Sequence, residues 1–549
     1  MENLRRHKDV TRGGDACIVL ATVWPIGMSG GSYSILGGDY DRAGAASRSL
    51  KDRLKRIGVD AEIIRRAMIA AYEAEMNVVI HAHKGTMRFT FEPAQILIEV
   101  ADEGPGIPDI DKAMQEGFST APPAARELGF GAGMGLPNIK RNSDRFRIHS
   151  TVGLGTRLDI QIDLKAQTVP ASAHNSVHVV IESCRQCLHC VRACPTKAMR
   201  VRGGRPEILD HLCIDCTTCI EACRNGALMM AGAQPLPKRL DRMVCVIPPS
   251  FVAQFGASAG PKRVLKALRE LGFGDVLVTQ AHEEALRQAV LNYARKEAKA
   301  APVISPVCPA VVNLIETRFQ SLIKNVAPFM SPIEAAQHEM KRQECLFVPA
   351  CPGQGTTLTI HSPSEGGHVV APASLRQAVV PLVSEGGMED AGSQEEPVAP
   401  NAPGLLEVSG IRHVINVLEQ AENGFLADIP VLELYACDHG CFGSPLLWGD
   451  PFVARRRWLQ NPHVGARSHQ PAMRRKTPYS ARAGLRLDAN MSKAILKLGQ
   501  IDEVTKSLPG RDCGLCGAPA CASLAEDIVL GVAFRSACMH LSDREEKAK

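Results

Sequence analysis

The cysteines constrain this chain more than any other residue type, because sixteen of the nineteen fall into four groups. Two groups repeat the pattern C-x2-C-x2-C-x3-C about 29 residues apart, a third is dispersed, and a fourth lies near the C-terminus. In chain order the groups are Cys184, Cys187, Cys190 and Cys194; Cys213, Cys216, Cys219 and Cys223; Cys308, Cys351, Cys437 and Cys441; and Cys513, Cys516, Cys521 and Cys538. Thiolates are soft ligands that suit iron–sulfur clusters, zinc and copper(I). Four cubane clusters in one chain would indicate electron transfer or redox sensing.

Length and composition indicate a soluble protein of roughly three to five domains. Hydrophobic residues make up 45% and charged residues 22% of the 549 residues, which is typical of globular chains. The longest uncharged run beyond the N-terminus, residues 300–315, contains three prolines and is too short to span a bilayer. The cysteine spacing favours metal ligation in a reducing compartment over disulfides, so we predict a cytoplasmic location and no membrane contact. The net charge of +5 points to no particular partner.

Apolar patterning predicts a multidomain chain of mixed α/β and α+β structure. Residues 50–82 follow a helical pattern, and two antiparallel strands are expected at residues 87–91 and 96–100, where apolar and polar residues alternate. A further helix is expected after Leu487, because apolar residues recur there at helical spacing.

The chain is predicted to divide into several units. Residues 1–34 are expected to be an irregular extension, residues 361–404 a flexible insertion rich in Gly, Pro, Ser and Glu, and residues 456–486 a basic linker. The predicted domains between these segments are residues 35–168, 176–235, 240–455 and 487–549.

Four short motifs occur in order within the first predicted domain. Their candidate nucleotide-contacting residues are Glu73, Asn77, Asp102, Gly104, Gly106, Gly131, Gly133, Gly135 and Thr156. A carboxylate at Glu73 could orient or deprotonate an attacking group, and Asn77 offers a hard oxygen to Mg2+. Glycines let backbone NH groups approach phosphates closely. The alternative is that each glycine loop only turns the chain, but four motifs in order favour ATP binding.

These motifs resemble those of the GHKL ATPase family, and within it the anti-sigma-factor serine kinases, over about residues 35–165. The resemblance implies a Bergerat α/β sandwich in which Asp102 binds the adenine amino group and Asn77 holds Mg2+. It also implies a regulatory partner protein, such as an anti-anti-sigma-like protein, a phosphatase or a kinase. A protein can keep its ATP-binding residues after it has lost catalytic activity, so ATP hydrolysis and protein phosphorylation are left open.

The first two cysteine runs are similar to those of bacterial two-cluster ferredoxins, in which the fourth cysteine of each run ligates the other cluster. The resemblance implies one 4Fe–4S cluster on Cys184, Cys187, Cys190 and Cys223, and another on Cys213, Cys216, Cys219 and Cys194. Zinc knuckles are the alternative, but they more often use separated C-x2-C pairs or histidine. Two clusters held this way would lie close enough to pass electrons from one to the other, with redox proteins such as ferredoxin as partners.

The dispersed cysteines lie in three motifs that resemble the active-site motifs of FeFe hydrogenases, over about residues 240–455. The motifs are Ser305-Pro-Val-Cys308-Pro, Val348-Pro-Ala-Cys351 and Leu432-Glu-Leu-Tyr-Ala-Cys437-Asp-His-Gly-Cys441. The resemblance implies that the four cysteines hold a 4Fe–4S cluster and that Cys441 stands where the family bridges to a di-iron subcluster. The alternative is that they are ordinary buried cysteines.

Two departures from this family bear on activity. Val307 stands where the family has a proton-relaying cysteine, and Gln354 stands where it has a lysine that pairs with a cyanide ligand. Because turnover needs a proton path, we expect little or no hydrogenase activity. The 4Fe–4S cluster is still expected, while the di-iron subcluster is left open.

The last cysteine group resembles the small four-cysteine 4Fe–4S domain that is attached to many redox proteins. Its expected ligands are Cys513, Cys516, Cys521 and Cys538. Zinc is the alternative, but four-cysteine zinc sites usually come as two C-x2-C knuckles, which this spacing does not provide.

Together these patterns predict an iron–sulfur regulator whose cluster redox state, or hydrogen binding, is coupled to an ATP-binding, serine-kinase-like module that acts on a partner protein. The layout resembles the sensory, non-catalytic branch of the FeFe hydrogenase superfamily. The alternative is an enzyme, a hydrogenase-type or electron-transfer oxidoreductase. Nucleic-acid binding by the basic residues 455–476 is disfavoured, because they lack interleaved aromatic residues apart from Trp458.

Overall fold

The computed structural model describes residues 30–127, 130–164, 177–256, 259–361, 367–385, 404–461, 473–482 and 484–541. Within them the fold is mixed α/β, as the sequence predicts, with one five-stranded antiparallel sheet, two parallel sheets and two short antiparallel strand pairs. None of the helices in these ranges combines the length and apolar character needed to cross a bilayer.

The N-terminal part is an antiparallel sheet with the strand order β1-β2-β3-β5-β4, packed against two long helices. Its strands are β1 (Gly30–Leu36), β2 (Lys84–Phe91), β3 (Gln95–Asp102), β4 (Arg145–Thr151) and β5 (Gly155–Asp163). Its helices are α1 (Ala45–Arg56), α2 (Ala61–His81), α3 (Ile110–Ala113), α4 (Pro123–Glu127) and α5 (Gly135–Asn142). The predicted pairing of two strands is confirmed, since Phe89 of β2 stands opposite Ile98 of β3 and both are buried.

Two sequence expectations in this part need correction. The helical stretch 50–82 is two helices, because Gly58 adopts a left-handed conformation (φ +76°) after α1, and Asp60 then caps α2 by accepting from the backbone NH of Glu62. Residues 30–34 are not irregular but belong to β1, which pairs with β2. The rest of the predicted extension, residues 1–29, lies outside the described residues.

The next part carries the repeated cysteine runs on two short helices. Strand β6 (Val177–Val179) pairs with β9 (Leu228–Met230), and β7 (Met199–Arg202) pairs with β8 (Arg205–Ile208). Helices α6 (His189–Ala193) and α7 (Thr218–Ala222) each begin inside a cysteine run and contact each other. Each helix therefore sets the direction of the cysteines that flank it.

The central part contains two parallel sheets, with the strand orders β11-β10-β13-β14 and β12-β16-β15. The strands are β10 (Val244–Ile247), β11 (Asp275–Val278), β12 (Val303–Ile304), β13 (Cys345–Phe347), β14 (Gly367–Val369), β15 (Leu405–Ser409) and β16 (Val431–Tyr435). The helices are α8 (Pro249–Val252), α9 (Pro261–Glu270), α10 (Gln280–Lys296), α11 (Pro309–Arg318), α12 (Pro332–Glu339), α13 (Pro352–Thr356), α14 (Pro372–Glu385), α15 (Ile411–Glu422) and α16 (Pro451–Leu459). The inner strands of both sheets are buried and mostly apolar, as is typical of parallel sheets; the exception in β16 is Glu433, which pairs with Arg287.

The predicted flexible insertion and basic linker are wrong where the structure describes them. Helix α14 lies inside residues 361–404 and buries Leu375 and Val379 against α9, because these two apolar residues share one helix face. Helix α16 extends into the predicted linker and buries Trp458. Residues 362–366, 386–403 and 462–472 lie outside the described residues.

The C-terminal part consists of α17 (Met491–Ser507) and α18 (Cys521–Val529), which pack on each other. The helix expected after Leu487 is thus confirmed. Its buried face, which includes Leu498 and Ile501, belongs to the same hydrophobic core as Leu50 and Leu54 of α1. The N-terminal sheet with its helices and the C-terminal helices therefore share one hydrophobic core.

Candidate functional sites

A cavity of about 640 Å3 opens between α2, the end of β3 and the glycine-rich loop before α5. Most of the sequence-predicted nucleotide residues line it, namely Glu73, Asn77, Asp102, Gly106, Gly131, Gly133, Gly135 and Thr156. Gly104 stands beside it and donates its backbone NH to Asp102. A cavity of this size is in the range of small-molecule sites.

Asp102 is held at the end of β3 by backbone NH groups. Its Oδ1 accepts from Gly104 at 2.9 Å and from Thr156 at 3.2 Å. Burial raises the pKa of Asp102, and these two NH donors act in the opposite direction. Gly155 permits the close approach, because a Cβ there would lie 2.0 Å from the carbonyl oxygen of Asp102.

The glycine loop brings its backbone against α2. A Cβ at Gly135 would lie 3.1 Å from Asn77 Oδ1, and one at Gly133 would lie 2.4 Å from the carbonyl carbon of Gly117. Both Gly131 and Gly133 have positive φ, at +81° and +74°. Only glycine fits this loop without strain, and the donor set that results suits a nucleotide and a divalent cation.

Sequence reasoning missed Asn138, which contacts a carboxylate that lines this cavity. The side-chain amide of Asn138 donates to Glu73 Oε1 at 2.7 Å, which fixes the orientation of the carboxylate. Asn138 lies in the first turn of α5, directly after the glycine loop, and this position is the signal that could have revealed it. An oriented carboxylate at this point can accept a proton from an attacking hydroxyl.

The repeated cysteine runs meet in the crossed arrangement that the sequence predicts, although ligation itself stays a prediction. One cavity is lined by Cys184, Cys187, Cys190 and Cys223, so the last cysteine of the second run joins the first three of the first run. Cys194 in turn lies by Cys216: burial, and then the neighbouring Cys194, raise the pKa of the Cys216 thiol to about 12.

The dispersed cysteines converge in a second place. Cys308 and Cys351 stand at the starts of α11 and α13, and Cys437 and Cys441 follow β16. The four line one cavity together with Cys216 and Asp215. These two residues belong to the part of the fold from β6 to β9 that carries the repeated cysteine runs, which we call the dicluster part. Burial raises the pKa of the Cys308 and Cys351 thiols, and backbone NH groups at the two helix starts act in the opposite direction. The convergence weighs against ordinary, unrelated buried cysteines.

Three polar residues that the sequence motifs do not mark lie at or beside this cavity. The Thr217 hydroxyl lies 3.6 Å from Cys437 Sγ, and Thr356 donates to Asp215 Oδ2 at 2.7 Å. No motif marks Thr217 or Asp215; only their place between the cysteines of the second run could have drawn attention to them. They connect the dicluster part to the dispersed cysteines by direct contact.

The C-terminal cysteines surround a cavity of their own, lined by Cys513, Cys516, Cys521 and Cys538. Their loop lies against the dicluster part, because the Val201 backbone NH donates to the Gly517 carbonyl at 2.8 Å. A Cβ at Gly514 would lie 3.4 Å from Arg192 Cγ. Val201 also lines the cavity of the Cys184 group, so the two cysteine cavities are neighbours.

Comparison with known proteins begins with the N-terminal part. Residues 38–162 match the family described as "Histidine kinase-like ATPase domain". The serine/threonine-protein kinase RsbT of Bacillus subtilis is 34% identical over 118 residues, which are 21% of this chain and 83% of RsbT. Through this segment the chain belongs to the histidine kinase-like ATPase family. We call residues 38–162 the ATPase segment.

A second relative of the ATPase segment is the anti-sigma F factor of Caldanaerobacter subterraneus. It is 39% identical over 92 residues, and the match spans 16% of this chain and 61% of that protein. The chain thus covers about three fifths of this relative. Outside the ATPase segment, three further stretches of the chain match other families.

The other three parts match iron–sulfur families. Residues 177–224 match "4Fe-4S dicluster domain", residues 241–347 match "Iron only hydrogenase large subunit, C-terminal domain", and residues 508–540 match "Putative Fe-S cluster". Among solved structures, an apo variant of the FeFe hydrogenase HydA1 from Chlamydomonas reinhardtii has 13% sequence identity and a TM-score of 0.32, covering 46% of this chain and 89% of that one. By the three family matches, the chain joins hydrogenase-like and iron–sulfur domains to the ATPase segment.

The donor sets fit iron–sulfur clusters better than single ions. In the described residues no three His, Cys, Asp or Glu side chains converge on one point where they could hold a single metal ion. The cysteines instead stand around cavities, as they must to bind the separate irons of a cubane. We call the central part of the fold, from β10 to α16, the hydrogenase-like part. In it Gln354 Nε2 lies 3.8 Å from Cys441 Sγ, so a neutral amide stands beside this cysteine.

Proposed function

We propose that the chain is a regulator that couples the redox state of its iron–sulfur clusters to an ATP-binding, kinase-like module acting on a partner protein. The observation that carries the proposal is the position of α18. Its Asp527 pairs with Arg202 at 2.7 Å and with the buried Arg200 at 3.3 Å, both in the dicluster part. The preceding residue, Glu526, pairs with Arg56 of α1 at 2.8 Å.

Neighbouring residues of one helix therefore contact two different functional parts. A second ion pair, Arg53 with Asp502 at 2.5 Å, and the shared core of α1 and α17 reinforce the contact with the ATPase segment. An electron added to a cluster changes its charge by one unit close to these partly buried pairs. Because such charges are weakly screened, the change can shift the relative energies of two arrangements of α1 and α18.

The order of the cysteine groups supports a path for that electron. The dispersed group touches the second cysteine run through Thr217, and the first run touches the C-terminal group through Val201 and Gly517. Ferredoxin-like redox proteins are the proposed external electron partners. The dicluster part would then deliver electrons to the C-terminal cluster next to α1.

In the ATPase segment the residues divide the work of binding and positioning. Asn77 would hold Mg2+ and Asp102 the adenine amino group, while Asn138 keeps Glu73 oriented toward the cavity. ATP supplies the phosphoryl group, and Glu73 would accept the proton of a serine or threonine hydroxyl of the partner protein. Glu73→Ala should therefore spare ATP binding and abolish any phosphoryl transfer.

The hydrogenase-type enzyme is the second candidate, and the surroundings of its cysteines disfavour it. Val307 is buried and apolar. The Oε1 of Gln354 accepts a hydrogen bond from the Ala350 backbone NH at 2.7 Å. Neither residue can carry a proton between solvent and a metal centre at neutral pH. A sensing role needs the cluster but not rapid proton delivery.

The test compares Mg-ATP affinity in oxidised and chemically reduced holoprotein by anaerobic titration calorimetry. We expect the two affinities to differ at least about fivefold, the lower end of typical coupling between sites. Glu526→Gln, which removes the charge paired with Arg56, should shrink the difference, whereas the exposed control Glu503→Gln should not. Equal affinities in both redox states of the wild type would overturn the proposal.

A further inference from the structure

The hydrogenase-like part contributes a side chain to the nucleotide cavity. Phe425, which follows α15, lines that cavity together with Tyr72 and Glu73. The other described residues that line it lie between positions 72 and 158, within the ATPase segment. Phe425 is 60% exposed, so most of its ring is free to contact a molecule that enters the cavity.

The turn that carries Phe425 has a defined geometry. Gly424 is left-handed (φ +81°), its NH donates to the Ala421 carbonyl at 3.1 Å, and the Phe425 NH donates to the Gln420 carbonyl at 3.0 Å. This is the Schellman arrangement at a helix C-terminus. The residue in the place of Phe425 commonly packs back on the last turn of its own helix. Here that turn offers the polar Gln420 and Glu419, so the ring faces the ATPase segment instead.

A buried ion cluster fixes the same helix end to the ATPase segment. Glu422 forms ion pairs with Lys51 and Lys55 of α1 and accepts from the Ser321 hydroxyl. Burial would raise the pKa of Glu422, but the two lysines together hold it below its usual value, so the carboxylate is charged. Lys55 also donates to the Arg318 carbonyl and lies 5.2 Å from the Phe319 ring centroid.

A further contact joins the hydrogenase-like part to the ATPase segment. Lys324, which precedes α15 in the chain, pairs with Glu62 in the first turn of α2 at 3.6 Å. Together with the Glu422 cluster, it places the hydrogenase-like part against α1 and the start of α2. The turn that carries Phe425 follows directly after this anchored helix end.

We propose that Phe425 is a nucleotide-contacting residue of the ATP site, supplied by the hydrogenase-like part and held in place by Glu422. The inference rests on the proposed ATP binding of the ATPase segment. Full nucleotide affinity then requires the hydrogenase-like part to be packed against α1. By linkage, a bound nucleotide must in turn stabilise this contact.

The first experiment measures Mg-ATP dissociation constants of the full-length protein with intact clusters. Phe425→Ala should weaken binding about tenfold, as expected for the loss of one aromatic contact. Phe534→Ala is the matched control, since Phe534 is 77% exposed and does not line the cavity. Glu422→Gln should weaken binding in the same direction, because it removes the charge that anchors the turn.

A reporter variant makes the test independent of any loss of stability. Phe425→Trp should show a saturable change in tryptophan fluorescence as Mg-ATP is added, with the midpoint of the calorimetric titration. Phe534→Trp should show none. The reporter tests contact directly, without relying on a weakened variant.

The outcomes separate the two levels of inference. If the wild type binds no Mg-ATP, the proposed function fails. If the wild type binds Mg-ATP but Phe425→Ala binds within twofold of it and the Phe425→Trp signal stays flat, the inference about Phe425 is wrong while ATP binding stands. A tenfold loss of Mg-ATP affinity in the Phe425 and Glu422 variants, with none in the Phe534 control, supports the inference about Phe425.

Discussion

The ATPase segment and the hydrogenase-like part both gather distant residues around a cavity, but they differ in what surrounds the binding groups. In the ATPase segment the positioning partners are present: Asn138 orients Glu73, and two backbone NH groups hold Asp102. In the hydrogenase-like part the four cysteines converge on a cavity, and beside them stand the neutral amide of Gln354 and the buried, apolar Val307. The two sites therefore differ in their neighbours: polar partners position the binding groups of the nucleotide cavity, whereas neither Val307 nor Gln354 can relay a proton beside the cysteines.

Hydrogen evolution should show the largest consequence of this difference. With maturation factors present, we expect rates about 10²–10⁴-fold below those of catalytic FeFe hydrogenases, the usual loss when a positioned proton donor is absent. Gas chromatography of hydrogen formed by the reduced protein measures it. Val307→Cys combined with Gln354→Lys should raise the rate if a di-iron centre is assembled, whereas the distant buried control Val264→Cys should not. Wild-type rates equal to those of catalytic members would make the enzyme reading correct.

Asp102→Asn tests the other side of the comparison. The carboxylate that would accept the adenine amino hydrogen becomes an amide with a competing donor, so Mg-ATP affinity should fall about 100-fold, close to 3 kcal/mol. Titration calorimetry measures the affinity, and the exposed Asp41→Asn serves as the control. Unchanged affinity in the Asp102 variant would show that the base binds elsewhere in the cavity.

The smallest expected effect is on metal content, where loss of one cluster should leave ATP binding intact. Anaerobically reconstituted protein should hold about sixteen irons, four for each cubane. Cys351→Ser should remove about four of them and leave Mg-ATP binding measurable, because Cys351 lines only the hydrogenase-like cavity among those described. Cys245→Ala, outside the four cysteine groups, should keep all sixteen. A preparation dominated by zinc would contradict the assignment.

Local patterns in the sequence predicted much of this protein. Alternating residues gave the hairpin of β2 and β3, and helical spacing gave α17, because the sides of a strand or helix are set by a short repeat. Motif order indicated the nucleotide cavity, since each glycine loop carries its own backbone requirement. The cysteine spacings indicated three of the four groups, and motif context indicated the dispersed group. Each of these features depends on residues near one another in the chain or on a recurring motif.

Composition misled where a short apolar stripe was hidden among polar and proline residues. Helix α14 is stabilised by Leu375 and Val379, which pack against α9. Without knowledge of that packing, two apolar residues are too weak a signal to predict a helix. The arginines of the predicted linker are used in ion pairs, such as Arg475 with Glu334 and Arg482 with Glu316. A basic run in sequence looks like a solvated linker until its acidic partners, far along the chain, are known.

The sequence by itself determined which groups could bind ATP and clusters; only the tertiary structure decided how those groups are connected. Arg56 and Glu526 are 470 positions apart, and Glu422 meets Lys51 from another part of the chain. Such contacts follow from the fit of packed surfaces and from burial of opposite charges, and no local repeat encodes them. For that reason the placing of Phe425 at the nucleotide cavity, and of α18 between the clusters and α1, emerged only from the folded chain.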